Sequence, residues 1–123
     1  TYDKLLSKDA KKVAPNSTSA PEEVHFTVGH GTLVGRPTRD QVCLQPQEVC
    51  AETDFVAAIE MSDVPFSLYP FDGIVGLAMP GLSRNKDYNF LGNLAEANAL
   101  EKDRFAVWLS KQADHEDSEI SFG

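Results

Sequence analysis

A mainly β fold with one short helix is predicted by two patterns in this sequence. Residues 24–28 alternate apolar and polar side chains, which is the period-two pattern of a half-buried strand. Later, Phe90, Leu94 and Ala97 recur at helical spacing behind Asn89, a residue type that caps helices well. Strand-like segments outnumber this single helical one, so the fold class is mainly β.

The first regular element after a polar lead-in is a predicted β-hairpin. Residues 13–23 are rich in Pro, Ser and Ala and predict a surface loop. Two short strand-like runs then flank a Gly-His-Gly tip at residues 29–31, which is typical of a hairpin. Residues 36–44 can continue as a strand, in which Pro37 indicates an edge position or a bend.

The middle of the chain alternates predicted turns and strands. Residues 45–52 predict a turn, residues 54–61 a strand, and residues 65–69 a loop with apolar anchors. The continuous apolar run at residues 74–78 is short enough to be a buried strand. Residues 80–89 again predict a loop.

The last third contains the helix and two further predicted strands. The helix is expected to end near Leu100. Residues 105–109 alternate as a strand does, and Trp108 within them is expected in the core. An acidic turn at residues 114–119 leads to a last strand that begins at residues 120–122.

Length and charge exclude several classes of function. A chain of 123 residues fits one domain with a modest core. The net charge of -8 argues against a nucleic-acid partner, and the lack of a long apolar run argues against a membrane span. His25, His30 and His115 are too scattered for a metal site, so we expect neither a metal nor another cofactor.

Several blocks resemble the pepsin-like aspartic endopeptidases, and they occur in the family's order. The clearest is FDGIVGLA at residues 71–78, which resembles a structural motif of the N-terminal lobe. Residues 26–35 look like the flap, the hairpin that covers the substrate cleft in this family. FAVWLS at residues 105–110 and EISFG at residues 119–123 look like paired strands near the end of the lobe.

The resemblance implies a mainly β, partial pepsin-like acid protease lobe with a flap hairpin and one short helix. Residues 1–23 would be a loop-rich lead-in, residues 24–35 the flap hairpin, and residues 36–123 the remainder of the lobe. Neither Asp-Thr-Gly nor Asp-Ser-Gly, the triplets that hold the family's two catalytic aspartates, occurs in the chain. We therefore expect a piece of the lobe that is inactive on its own.

No residue here matches a catalytic position of the family. Asp72 stands in Asp-Gly-Ile, without the neighbouring hydroxyl residue that holds each catalytic carboxylate in place in the family. Those two carboxylates share a proton. By resemblance, Asp72 and Gly73 are structural residues behind the active site.

The resemblance places five consecutive residues at the substrate. Val28 stands where the family usually has a tyrosine, and valine can pack on a peptide but cannot donate a hydrogen bond. Gly29 and Gly31 would let the hairpin approach the peptide and close. His30 is either a solvent-facing tip residue or a pH-sensitive substrate contact. Thr32 matches a small hydroxyl residue that bonds the peptide backbone.

Apolar residues further along match the pocket for the side chain that precedes the scissile bond. Phe71 and Ile74 fall at such positions, and Phe66 is a further candidate. The alternative for all three is plain hydrophobic core, because pockets of this kind are built from apolar residues at the core's edge.

Two cysteines, Cys43 and Cys50, are the only ones in the chain. The compartment usual for the family favours a disulfide between them over a metal site, and such a bond would stabilise by roughly 2–3 kcal/mol. The same resemblance implies the secretory pathway, with an extracellular, vacuolar or lysosome-like destination. Another organelle would apply if the chain were recruited as a structural subunit.

Two functions remain open at this point. The first is a fragment of a pepsin-like aspartic endopeptidase, which acts on a protein or peptide substrate and needs the remainder of the protease, including its other lobe. The second is a non-catalytic, protease-like structural or interaction subunit of a larger host complex. The missing triplets and Val28 favour the second, whereas chain ends that fall inside family motifs favour the first.

Overall fold

The computed structural model describes residues 7, 10–12, 23–44, 48–111 and 117–123. Within them the fold is mainly β, as predicted. No helix in this part of the chain is long and apolar enough to cross a membrane. The elements in chain order are β1 (Lys11–Lys12), β2 (Val24–Val28), β3 (Gly31–Cys43), β4 (Cys50–Met61), α1 (Asp63–Phe66), two 3₁₀ turns (Pro80–Leu82 and Lys86–Tyr88), α2 (Phe90–Glu96), β5 (Phe105–Trp108) and β6 (Glu119–Phe122).

The long strand β3 organises a four-stranded antiparallel sheet. It pairs with β4 along one side and with β2 and β1 along the other. Pro37 faces Val56 of β4. On the other side of β3, the pairing with β2 ends at Gly35 and the pairing with β1 begins at Thr38, so Pro37 lies between the two. The strand therefore runs through Pro37 without interruption, because the proline falls at a gap in the pairing.

The hairpin of β3 and β4 is closed by the predicted disulfide. Cys43 and Cys50 are register partners, and their sulfurs are bonded with the Cα atoms 4.1 Å apart. The strand predicted at residues 54–61 is confirmed and begins earlier, at Cys50. The predicted turn at residues 45–52 is correspondingly shorter, and its residues 45–47 lie outside the described residues.

Helix α2 supplies the core that covers one face of the sheet. Leu94 is completely buried, and Phe90 and Ala51 are nearly so. As predicted, Asn89 caps the helix, since its Oδ1 accepts a hydrogen bond from the Gly92 N–H at 2.6 Å. The partly buried apolar residues around this cluster are Val42, Leu44, Val49, Leu77, Ala99 and Leu100.

The predicted end of α2 near Leu100 is wrong, because the helix stops at Glu96. Asn98 adopts a left-handed conformation with φ 50°, and the Ala99 N–H returns to the Leu94 carbonyl at 2.9 Å. This is the hydrogen-bonding of a Schellman C-cap, for which asparagine is a suitable residue. Ala97 is consequently exposed rather than part of the buried face.

Three further expectations for local structure are corrected. Residues 74–78 form no strand, and Ile74 and Val75 are about three-fifths exposed because no described element covers them. The segment at 65–69 begins within the short helix α1, and residues 80–89 contain both 3₁₀ turns.

The predicted strands near the end of the chain are confirmed as β5 and β6, which pair with each other. Their burial is not as expected. Trp108 is 47% exposed, because within the described residues these strands pair only with one another, outside the main sheet. Half of the predicted acidic turn at 114–119, and all but the last residue of the predicted loop at 13–23, lie outside the described residues.

Candidate functional site

The hairpin predicted at residues 24–35 is present and ends in a tight two-residue turn. β2 and β3 pair in register from Val24–Gly35 to Val28–Gly31. Gly29 has φ 60°, in the left-handed region that glycine adopts without strain, and no atom lies within 4 Å of the place where a Cβ would be. His30 is exposed and carries the one side chain of the turn.

The base of this hairpin rests on the corner between β4 and α1. The Ser62 N–H donates to the Thr32 carbonyl at 2.9 Å, and the Thr32 N–H donates to Ser62 Oγ at 3.1 Å. A Cβ on Gly31 would lie 2.5 Å from Pro65 Cδ and 2.8 Å from Phe66 Cε2. Glycine is therefore required at position 31 by close packing, a reason that the sequence alone did not indicate.

The structure brings one candidate pocket residue, Phe66, directly against the hairpin. Phe71 lies further along the chain, where its ring stacks on Tyr69 with centroids 6.2 Å apart. Phe71 is 43% exposed and Ile74 is 62% exposed, so among the described residues neither is part of a hydrophobic core. Asp72 and Gly73 between them are also exposed.

Large apolar side chains are exposed throughout residues 59–82, which we name the apolar strip. Exposed apolar residues in such numbers are typical of binding or contact surfaces. Of the apolar residues in this segment, only Phe66, Phe71 and Ile74 were expected from the sequence to contact substrate. A count of aromatic and aliphatic residues over the whole segment would have indicated the rest. The exposed members are Ile59, Met61, Val64, Leu68, Tyr69, Phe71, Ile74, Val75, Met79 and Leu82.

Away from the hairpin tip, a charged cluster holds the sheet to the turn before α2. Arg39 Nη2 donates to Asp54 Oδ2 at 3.0 Å and to Asp87 Oδ2 at 2.9 Å. Hydrogen bonding to Asp54, together with the charges of both carboxylates, raises the pKa of Arg39 above its ordinary value. The guanidinium therefore stays charged, and its role is to link β3, β4 and the Lys86–Tyr88 turn.

Comparison with known proteins agrees with this geometry. The sequence profile of the eukaryotic aspartyl proteases matches residues 9–123. Procardosin-B of Cynara cardunculus is 30% identical over 118 residues, which are 95% of this chain and 22% of that protein. Cathepsin D of Gallus gallus is 30% identical over 105 residues, which are 84% of this chain and 25% of that protein.

Pepsin A of Sus scrofa is similar as well, with 28% identity over 116 residues that make up 89% of this chain and 29% of that protein. The chain thus spans less than a third of the length of each of these relatives. A mainly β structure with a hairpin and short helices is consistent with part of a pepsin-like lobe. The chain belongs to the eukaryotic aspartyl protease family.

Proposed function

We propose that this chain is one part of a pepsin-like aspartic endopeptidase that hydrolyses peptide bonds in proteins. In that enzyme it supplies the flap and one wall of the substrate cleft. The observation that carries the proposal is a family-typical hairpin seated on a corner from which the exposed apolar strip continues. The two catalytic carboxylates, which such an enzyme needs as a proton-sharing pair, would come from outside these residues.

Each predicted site residue has a specific task in this proposal. Val28 to Thr32 lie over the bound peptide, where closure of the hairpin excludes water from the reacting bond. The Thr32 hydroxyl accepts from or donates to the peptide backbone. Phe71 and Ile74, with Phe66, contact the apolar side chain that precedes the scissile bond. Asp72 and Gly73 support the backbone behind the active site.

The proposed partners are a protein or peptide substrate and the remainder of the protease. The exposed apolar strip supports a covering partner, since exposed apolar surface of this extent is uncommon on a chain that acts alone. The Cys43–Cys50 disulfide supports a route through the secretory pathway, toward the extracellular space or an acidic lumen.

The test is peptide mapping by mass spectrometry on the native protein, captured with an antibody raised against this chain. The proposal predicts peptides that precede Thr1 or follow Gly123, or a companion chain, with Asp-Thr-Gly or Asp-Ser-Gly among them. It also predicts peptidase activity at acid pH in the captured material. Confirmed ends at Thr1 and Gly123, no triplet in any associated chain and no activity would contradict it.

That contradicting result would favour the second candidate, a non-catalytic structural or interaction subunit of a larger assembly. The observation on its side is Val28, which cannot donate the hydrogen bond that the family's flap tyrosine donates. A co-purifying complex without peptidase activity would be its positive signature.

A further inference from the structure

We propose that Ser62 is a positioning residue, which fixes the pivot of the flap hairpin and joins it to the Phe66 wall of the cleft. This inference rests on the proposed function, because it assigns a task within the same cleft. The Ser62 latch is defined here as Ser62 with its hydrogen-bonding partners Thr32 and Val64.

Both the backbone and the side chain of Ser62 are engaged in the latch. Its N–H donates to the Thr32 carbonyl at 2.9 Å, and its Oγ accepts from the Thr32 N–H at 3.1 Å. The same hydroxyl donates to the Val64 carbonyl at 2.7 Å. One short side chain therefore connects the hairpin to the corner that follows β4.

The latch lies at the point where the hairpin leaves the sheet. The last register pair of β3 and β4 toward the hairpin tip is Leu33 and Met61. Thr32 and Ser62 are the next residues toward the tip on the two sides. Beyond it, only the tip of β2 and β3 remains. We expect the hairpin to pivot at this pair of hydrogen bonds, since among the described residues its tip has no strand pairing with β4 beyond them.

Steric packing couples this pivot to the cleft wall. Gly31 lies so close to Pro65 and Phe66 that a Cβ at position 31 would meet both rings. Movement of the hairpin at Gly31 must therefore be accompanied by movement of Phe66. The latch holds the hairpin and Phe66 at a fixed relative position, which pre-organises the flap and the pocket for the same peptide.

Serine suits this position because its hydroxyl both donates and accepts, and because its side chain is short. Alanine would remove the acceptor for the Thr32 N–H and the donor for the Val64 carbonyl. These groups are exposed, so water can replace the lost partner and the fold survives. The expected consequence is a looser hairpin rather than an unfolded chain.

The test uses three variants in the whole protein that carries this chain. Ser62→Ala removes the two side-chain hydrogen bonds of the latch, and Ser62→Thr keeps a hydroxyl in their place. Ser67→Ala is the matched control, since Ser67 Oγ donates to the Asp63 carbonyl in the same corner at 2.6 Å. The readouts are hydrogen exchange of the Thr32 amide and the affinity for a fluorescein-labelled hexapeptide with two central phenylalanines.

In Ser62→Ala we expect the Thr32 amide to exchange about three to ten times faster, the range that corresponds to one lost hydrogen bond. We expect the peptide's Kd to rise by a similar factor, of about three to ten, as pre-organisation is lost. Ser62→Thr and Ser67→Ala should remain near the parent protein in both readouts.

Unchanged exchange of the Thr32 amide in Ser62→Ala would overturn the latch itself. Faster exchange with unchanged peptide affinity, in a protein whose parent form binds the peptide, would overturn the positioning role alone. A parent protein with no affinity for the peptide would overturn the proposed function, and the positioning role with it, whereas the exchange result would still decide the latch.

Discussion

Two parts of this chain are rich in apolar residues and differ in whether those residues are covered. The first, which we name the sheet half, comprises residues 23–58 and 86–100, where β2, β3, β4 and α2 bury a small core. The second, the open half, comprises the apolar strip with residues 105–109 and β6, and its large apolar side chains are mostly exposed. An apolar sequence pattern therefore shows which side chains are suited to burial. Whether they are buried depends on whether another element of the fold packs over them.

The apolar run at residues 74–78 shows the border between the two halves. Leu77 packs against the core around Leu94, and the Ala78 carbonyl accepts from Asn89 Nδ2 at 3.0 Å. Ile74 and Val75, only a few residues earlier, are exposed. Among the described residues the run is thus anchored at its carboxyl end alone, which is consistent with a segment that contacts something beyond this chain.

The largest expected effect is on the free energy of unfolding, when one leucine is substituted in each half. Leu94→Ala removes the one completely buried large side chain of the described residues and should lower the free energy of unfolding by about 2–5 kcal/mol. Leu109→Ala, at a residue 75% exposed, should change it by less than about 0.5 kcal/mol. Urea denaturation of both variants measures the difference. Equal losses would show that the open half is packed as tightly as the sheet half.

A second substitution tests the charged cluster within the sheet half. Asp54→Asn leaves the Arg39 guanidinium without its principal carboxylate and should cost about 2 kcal/mol, since Asp54 is only 3% exposed. Asp87→Asn, at a carboxylate that is 41% exposed, should cost less than about 1 kcal/mol. Thermal unfolding of the two variants side by side checks the order, and a larger loss at Asp87 would refute the role given to Asp54.

Two glycines differ in whether the surrounding atoms leave room for a Cβ. Gly31→Ala places a methyl group against Pro65 and Phe66 and should destabilise by about 1–3 kcal/mol through overpacking. Gly73→Ala meets no atom within 4 Å in the open half and should be tolerated. Denaturation midpoints of the two variants decide between them. A tolerated alanine at position 31 would mean that the hairpin is not held against the corner.

The smallest effect concerns Asn89, which connects the halves. Its Oδ1 caps α2, and its Nδ2 donates to the Ala78 carbonyl in the open half and to Ser83 Oγ, one residue beyond the apolar strip. Asn89→Ala should cost about 1 kcal/mol, the usual value of an N-cap. Asn89→Asp keeps the cap acceptor and loses the amide donor, so it should recover part of that stability while residues 78–83 exchange faster. If Asn89→Asp recovered none of the stability lost in Asn89→Ala, the cap would contribute little here.

The sequence predicted those features that depend on neighbours along the chain. The hairpin around the Gly-His-Gly tip and the Asn89 cap follow from local residue chemistry, and the disulfide was expected from the family resemblance. The early end of α2 was missed because the signal is one asparagine, Asn98, in a left-handed conformation inside an apolar pattern that continues to Leu100.

Features that depend on distant residues could not be predicted in this way. The exposure of Ile74 and Trp108 reflects which elements cover them, and no periodicity carries that information. The Arg39–Asp54–Asp87 cluster joins residues up to 48 positions apart. Ser62 is an unremarkable serine in the sequence, and its importance appears only when Thr32 is found across from it.

The central claim is that the open half of this chain is the part covered by the remainder of a protease. Hydrogen exchange by mass spectrometry, on the isolated chain and on the whole native protein, tests it most directly. We predict that amides of residues 74–76 and 105–109 exchange more than about tenfold slower in the whole protein, while those of β3 and β4 keep the same rates. Equal rates for the open half in both samples would contradict the account.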